Sequence, residues 1–407
     1  MTSRKVPTNS LKTYSALHWE GKISMLLAAC CVLLGIVINR FTLAIFSSDG
    51  EITSILANMI IVIIQLALII FGLYILKTCN GIIINIMLFC CAIIFSLFCL
   101  EIFYRFYLFG WDGLSIEKMN SLRHLGVSDL IQPAQYPEVV YELKPNLRTY
   151  SKMSKFETNS QGLADKEYSI DKPVNTFRVA VIGDSFTMGI GIDIDEIYHT
   201  LLEEGLNKSQ EKVSYEFINF GVAGYYLRQY LAVIKHKALK FNPNLILIGF
   251  CPDNDHEVPS DEIFEKRFIP KRQTYPFWGP LIEKLFRHVL INMIRNRRPE
   301  EPPSQDQKEY MNKIFSKMHD TSQENNIPIV VIYLSYWQRE SKPIEELVTA
   351  NGLLFVDVSS SFVAAKVSDY AIYHPIDSHP NGKANRIFAD KIYNFLIERK
   401  LLVKRDE

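Results

Sequence analysis

Residues able to carry acyl chemistry stand at four separate places along the chain. One is Ser185, in Gly183-Asp184-Ser185, and another is the pair Asp377 and His379, two apart in Asp377-Ser-His379-Pro-Asn. A serine hydroxyl is a weak nucleophile on its own. It needs a base within hydrogen-bond reach, a carboxylate that holds the base in the right tautomer, and donors for the oxyanion that forms on the acyl carbonyl. Asp377 and His379, in a loop before the last helix, can be the orienting carboxylate and the base. The backbone amides of Ser185 and Gly224 and the side-chain amide of Asn254 can be the donors. Each residue also has a plainer reading: Ser and Asp are ordinary turn and N-cap residues, and Asn254 alone would serve as a cap or turn residue. His374 is a rival base, but no carboxylate stands two residues before it. His199 and His256 read as surface or helix residues, and Gly221 as a turn glycine. Asp253 and Asp255 lack a second cluster of oxygen ligands, so neither a metal nor a cofactor is expected.

The elements that must position these residues alternate between strand and helix. Val179 to Ile182, within FRVAVIGDSFTMGIG, is a short apolar, largely β-branched run without alternation, as a strand buried on both faces should be. Gly183 then permits a turn that leaves Ser185 at the carboxyl edge, where open α/β sheets bind ligands. Helical spacing follows over Asp195 to Asn207, and a second strand, Tyr215 to Phe220, runs into Asn219-Phe-Gly-Val-Ala-Gly224. Leu227 to Phe241 predicts a helix and Asn244 to Phe250 a third strand, ending in Cys251-Pro-Asp-Asn-Asp255. Ile327 to Leu334 and Leu353 to Val358 complete five strands. This order predicts a three-layer α/β/α, doubly wound parallel sheet. An insertion spans roughly His256 to Gln305. Its amphipathic run Leu281 to Ile294, ending in Arg295-Asn-Arg-Arg298, reads as a helix on the sheet, a membrane-surface helix, or a lid.

The chain has 407 residues and no formal net charge, and its apolar excess is concentrated in the first quarter. Ile23 to Phe46, Ile52 to Leu76 and Ile82 to Phe109 are each long enough to span a bilayer, predicting three transmembrane helices. Arg4, Lys5, Lys12 and Lys22 precede the first run, whereas the next loop is acidic. The amino terminus is therefore expected inside, and everything beyond about Gly110 outside the cytoplasm. Glu101 and Arg105 read as a helix-spaced ion pair. Six of the seven cysteines lie in or beside these runs, so no disulfide is expected in the outer portion. No basic stripe with interleaved aromatics appears, which argues against nucleic acid as a partner. Trp111 to Pro173 lacks long periodicity and reads as a loosely packed connector. The expected division is an anchor at 1–110, a connector at 111–173 and a catalytic domain at 174–407.

Gly183-Asp184-Ser185, Gly224, Asn254-Asp255 and Asp377-x-His379-Pro-Asn together resemble, in order, the four blocks of the SGNH, or GDSL, hydrolases. The resemblance covers about Phe177 to Leu402, and the stretch from Thr158-Asn-Ser-Gln-Gly-Leu to the serine is similar to membrane-anchored bacterial members. It implies a flavodoxin-like sheet, Ser185 as nucleophile, His379 as base, Asp377 as its partner, and Ser185, Gly224 and Asn254 as the oxyanion hole. It departs at Pro252, where a glycine is usual, and at Phe186, where leucine is usual. Asp184 reads as a turn brace. The implied activity is that of an esterase without a cofactor, acting on an acylated glycan or lipid at a bacterial cytoplasmic membrane, with the catalytic domain periplasmic or extracellular. The alternatives are an O-acyltransferase with the same triad and a non-catalytic component that binds glycan or a partner.

Overall fold

The computed structural model describes residues 22, 25–37, 39, 55–78, 81–122, 127–209, 212–252, 254–260, 264–269, 303–337, 340–362, 369–373 and 377–402. The amphipathic run Leu281 to Ile294 and its basic end, Asp253 and His374 lie outside these residues. The chain forms two compact units, one containing the amino-terminal helices up to Ile116 and the other running from Glu117.

The first unit contains α1 (Met25–Val37), α2 (Ile55–Thr78) and α3 (Gly81–Phe109). α1 and α2 approach closely where glycines remove side chains: a Cβ on Gly72 would lie 2.9 Å from Val32, and one on Gly35 2.9 Å from Ile69. Three spans are expected from the sequence. Among the described residues one helical stretch, Leu88–Leu114, is long and apolar enough to cross a membrane, while Met25–Val37 and Ile61–Ile75 are shorter apolar stretches. On α3, Glu101 accepts from Arg105 Nε at 2.7 Å, one turn apart.

In the second unit two antiparallel pairs come first, β1 (Ile131–Pro133) with β2 (Tyr141–Leu143), and β3 (Arg148–Ser151) with β4 (Ser154–Glu157). Then follow β5 (Thr176–Gly183), α4 (Ser185–Met188), α5 (Tyr198–Ser209), β6 (Ser214–Asn219), α6 (Leu227–His236), β7 (Leu245–Phe250), α7 (Gln305–Asn325), β8 (Ile329–Tyr333), α8 (Lys342–Ala350), β9 (Leu354–Asp357), β10 (Ala371–Tyr373), β11 (Asp377–Pro380) and α9 (Gly382–Glu398). The five central strands are all parallel, in the order β6-β5-β7-β8-β9, which is the flavodoxin-like arrangement.

The unalternating sequence of β5 has its reason here, because both faces of the sheet are covered. Ala180 and Ile182 enter the core beneath α6, α7 and α8, and Val179 and Val181 the core beneath α5 and α9. The segment expected as a loose connector is instead built in. Val139, Tyr141, Leu143, Phe156 and Leu163 are buried in the first of these cores. Tyr141 Oη donates to Ala223 O at 3.1 Å, tying β2 to the loop after β6. Single strands of three or four residues carry too little periodicity to be read, yet buried Tyr141 on β2 and Phe156 on β4 help dock the two pairs.

Candidate active site

The structure assembles the serine turn around a slot between two strands. Gly183 and Gly249 are directly paired on β5 and β7. Thr187 of α4 sits over both: a Cβ would lie 2.1 Å from Thr187 Oγ1 at Gly183 and 2.4 Å from it at Gly249. Gly183 is thus required for room, and its backbone is not left-handed, so the turn-permitting role read from the sequence is corrected. Asp184 caps α4 by accepting from Phe186 N at 2.9 Å, which is the bracing role expected of it. Ser185, half-buried, is the first residue of α4. Asn219 Nδ2 donates to Thr187 O at 2.9 Å while its Oδ1 accepts from Gly221 N at 2.8 Å, fastening the loop after β6 to α4.

Asp377 and His379 are brought together on β11, which pairs with β10. Asp377 Oδ1 lies 2.5 Å from His379 Nδ1 and also accepts from His379 N at 3.0 Å. With Nδ1–H donating to the carboxylate, Nε2 carries the free lone pair. Burial alone would raise the Asp377 carboxyl, but the hydrogen bond and charge of His379, with the nearby Lys152 ammonium, outweigh it and hold it well below the usual carboxylate range. Lys152 Nζ, from the β3–β4 turn, is 3.1 Å from Asp377 Oδ2. The ring of Phe186, beside the serine, packs edge-on to His379 with centroids 5.8 Å apart, and stacks on Tyr336 at 6.4 Å. Tyr336 Oη in turn donates to Ser378 O. No hydrogen bond joins Ser185 Oγ to His379, whose Nδ1 and backbone N both face Asp377. Asn381, the last residue of that block, caps α9 by accepting from Ala384 N at 3.0 Å.

The loop after β7 is braced from within. Asp255, fully buried, accepts from Tyr230 Oη at 3.0 Å and from Cys251 N at 2.7 Å. Asn254 lies close enough to influence the carboxyl of Asp184, the residue before Ser185, and its Oδ1 is buried without a partner. Burial pushes the Asp184 carboxyl up, against its hydrogen bond from Phe186 and the influence of His379 and Asn254. Gly224 has a left-handed φ of 77° and a close neighbour, since a Cβ there would lie 2.6 Å from the Arg267 guanidinium carbon. The loops after β5 and β7 therefore flank the crevice at the sheet's switch point, where the chain crosses from one side of β5 to the other.

Of the remaining histidines, His256 Nδ1 is 3.0 Å from Pro252 O. His199 is on a helix but buried, 3.4 Å from Asp165, rather than at the surface. Among the described residues no group of three or more His, Cys, Asp or Glu is placed to hold a metal. Lys152 and Arg267 were not legible as site residues, because no local spacing distinguishes either.

The resemblance to SGNH, or GDSL, hydrolases is carried into three dimensions, with its first three blocks after β5, β6 and β7 and the fourth on β11. No family model and no curated protein matches the chain. Similar solved structures include a two-domain esterase (CEX) active on acetylated mannans, co-crystallised with mannopentaose, at 14% identity, 57% of this chain, 51% of that chain and TM-score 0.38. The chain thus spans about half the length of that protein. TesA is similar at 13% identity, 55% of this chain, 99% of that chain and TM-score 0.35. The psychrotrophic esterase EstA from Pseudoalteromonas sp. is similar at 16% identity, 56% of this chain, 98% of that chain and TM-score 0.35.

Proposed function

We propose that this chain is a membrane-anchored serine esterase of the SGNH type, in which Ser185, His379 and Asp377 act as nucleophile, base and orienting carboxylate. The observation that carries this reading is the 2.5 Å contact between Asp377 Oδ1 and His379 Nδ1, on a strand whose histidine packs against the residue after Ser185. Ser185 Oγ attacks the acyl carbonyl carbon and gives its proton to His379 Nε2. Asp377 holds Nδ1–H and stabilises the imidazolium. The amides of Ser185 and Gly224 and the side chain of Asn254 receive the oxyanion. The alcohol leaves with the proton from His379, and water then attacks the acyl-serine with His379 as base. No cofactor enters these steps.

The anchor is residues 1–110, and the catalytic domain, 174–407, lies outside the cytoplasm of a bacterial membrane, joined by 111–173. What supports the anchor is the apolar stretch Leu88–Leu114, where Phe89, Phe95, Phe103, Tyr107 and Trp111 are all exposed. The substrate class is an acylated glycan or a lipid ester. The test is hydrolysis of nitrophenyl esters, acetate to decanoate, by the full chain in detergent beside Ser185→Ala. Turnover lost in the variant supports the reading, and a chain-length preference separates short acyl groups on glycan from lipid. Turnover equal in both overturns it. Acyl groups that move to an added glycan instead of water make the chain an O-acyltransferase, and ligand binding that survives Ser185→Ala with no turnover in the parent makes it a binding component.

A further inference from the structure

The β3–β4 hairpin closes with a two-residue turn, Lys152-Met153, in which both residues are left-handed, with φ of 50° and 76°. Turns of this kind select Asn and Gly, because a side chain there is strained. Lysine followed by methionine is a poor choice for the turn itself, and strain of this sort accumulates where geometry serves a site. The turn is nevertheless fixed. Met153 N donates to Ser121 Oγ at 2.8 Å, Ser154 Oγ donates to Gly191 O at 2.9 Å, and Met153 is buried. Gly191, on the loop following α4, has no side chain where Lys152 packs: a Cβ there would lie 3.0 Å from Lys152 Cβ. The hairpin is thus seated on the nucleophile's own loop.

From that seat the Lys152 side chain, 15% exposed, reaches the 8% exposed carboxylate of Asp377. Lysine is buried to this degree only when paired. Asp377 Oδ1 is already taken by two donors of His379, so the ammonium meets the other oxygen. We propose that Lys152 is a positioning residue for the Asp377–His379 pair, clamping Asp377 Oδ2 so that Oδ1 stays directed at the imidazole. This rests on the esterase reading for its catalytic meaning, but the geometry stands apart from it. Without the clamp the carboxylate can rotate and leaves one oxygen buried and unpaired. The charge has a second consequence. A cation beside the carboxylate offsets the field that stabilises the imidazolium, so removing it makes His379 easier to protonate. The other groups near the pair are the Asp184 carboxyl at the end of β5, Tyr336 on Ser378, and the Glu196–Arg386 pair, in which Glu196 lies against Gly382. Among the described residues the Asp377 carboxylate is contacted by Lys152 and His379, and by none of these other groups.

The experiment compares the full chain in detergent with Lys152→Met and Lys152→Arg, reading the pH profile of kcat/KM on nitrophenyl acetate and, independently, the His379 titration by NMR of histidine-labelled protein, assigned with His379→Gln. Lys152→Met is expected to lower kcat/KM about tenfold and to move both the acid limb and the NMR titration up by ~0.5–1 pH unit, with Lys152→Arg restoring both. Should Lys152→Met not fold, Lys152→Gln takes its place. A Met or Gln variant with parental melting and an unmoved His379 titration overturns the proposal. If the parent turns over no ester, the esterase reading fails and the NMR comparison alone decides the role of Lys152.

Discussion

At the residue scale, Asp377 makes predictions whose pH dependence differs between activity and stability. Its folded carboxyl is held below the unfolded value, so it contributes stability that is fully present above the unfolded pKa and is lost as pH falls through the folded one. Near neutral pH the melting temperature of Asp377→Asn should therefore lie below that of the parent, and the gap should close as pH drops below about 4. Activity behaves otherwise, because Asp377 is already ionised across that range and the acid limb of kcat/KM reports His379. Asn at 377 no longer dictates the tautomer of the imidazole, and kcat should fall about 10²–10⁴-fold. A loss under twofold, measured on the full chain, would remove Asp377 from the proposed triad. These residues were legible because each lies in a short motif, and the two-residue spacing of Asp377 and His379 alone brings them together. Lys152 was not, because the hairpin that delivers it comes from a distant part of the chain and its turn residues contradict the usual preference.

At the element scale the unit of design is the slot formed by Gly183 and Gly249, into which Thr187 settles. Thr187 Oγ1 also lies 3.0 Å from Tyr198 Oη, so the slot fixes α4 against α5. Gly183→Ala should destabilise the chain by about 1–3 kcal/mol, as overpacking does, and should displace Ser185 enough to lower kcat more than KM. Combined with Thr187→Ala the loss should be smaller than the two single losses summed, because both act on one contact. Denaturant unfolding of the four-member cycle measures this, and strict additivity would mean that the slot is not what requires glycine. The strands themselves were readable as unbroken apolar runs, and all five appear where the sequence puts them, within a few residues. Their division between two cores was not readable, since a strand covered on both faces shows no alternation. Nor was the docking of the 131–168 segment, which depends on Tyr141 and its neighbours meeting the loop after β6. Tyr141→Ala, which removes a fully buried ring, should cost about 3–5 kcal/mol, whereas a loose connector would lose almost nothing.

For the whole molecule, what matters is where two dissimilar units find their solvent. The second unit hides its apolar side chains in two cores, but α2 and α3 carry Ile63, Ile70, Phe89, Phe95 and Phe103 exposed. Such a surface in water would be an aggregation site, and in a bilayer it is ordinary. Composition made this asymmetry legible at once, while among the described residues one helical stretch, Leu88–Leu114, is long and apolar enough to be a span. In the proposed topology the basic residues before the first run, Arg4, Lys5, Lys12 and Lys22, keep the amino terminus in the cytoplasm. An odd number of spans would then carry the carboxyl terminus across. Alkaline phosphatase joined after Glu407 should be active in cells and green fluorescent protein at the same place dark, while both reporters should reverse when joined after the second apolar run. The opposite pattern at the carboxyl terminus would place Ser185 in the cytoplasm. It would leave the acyl chemistry intact but remove envelope glycan from its possible substrates.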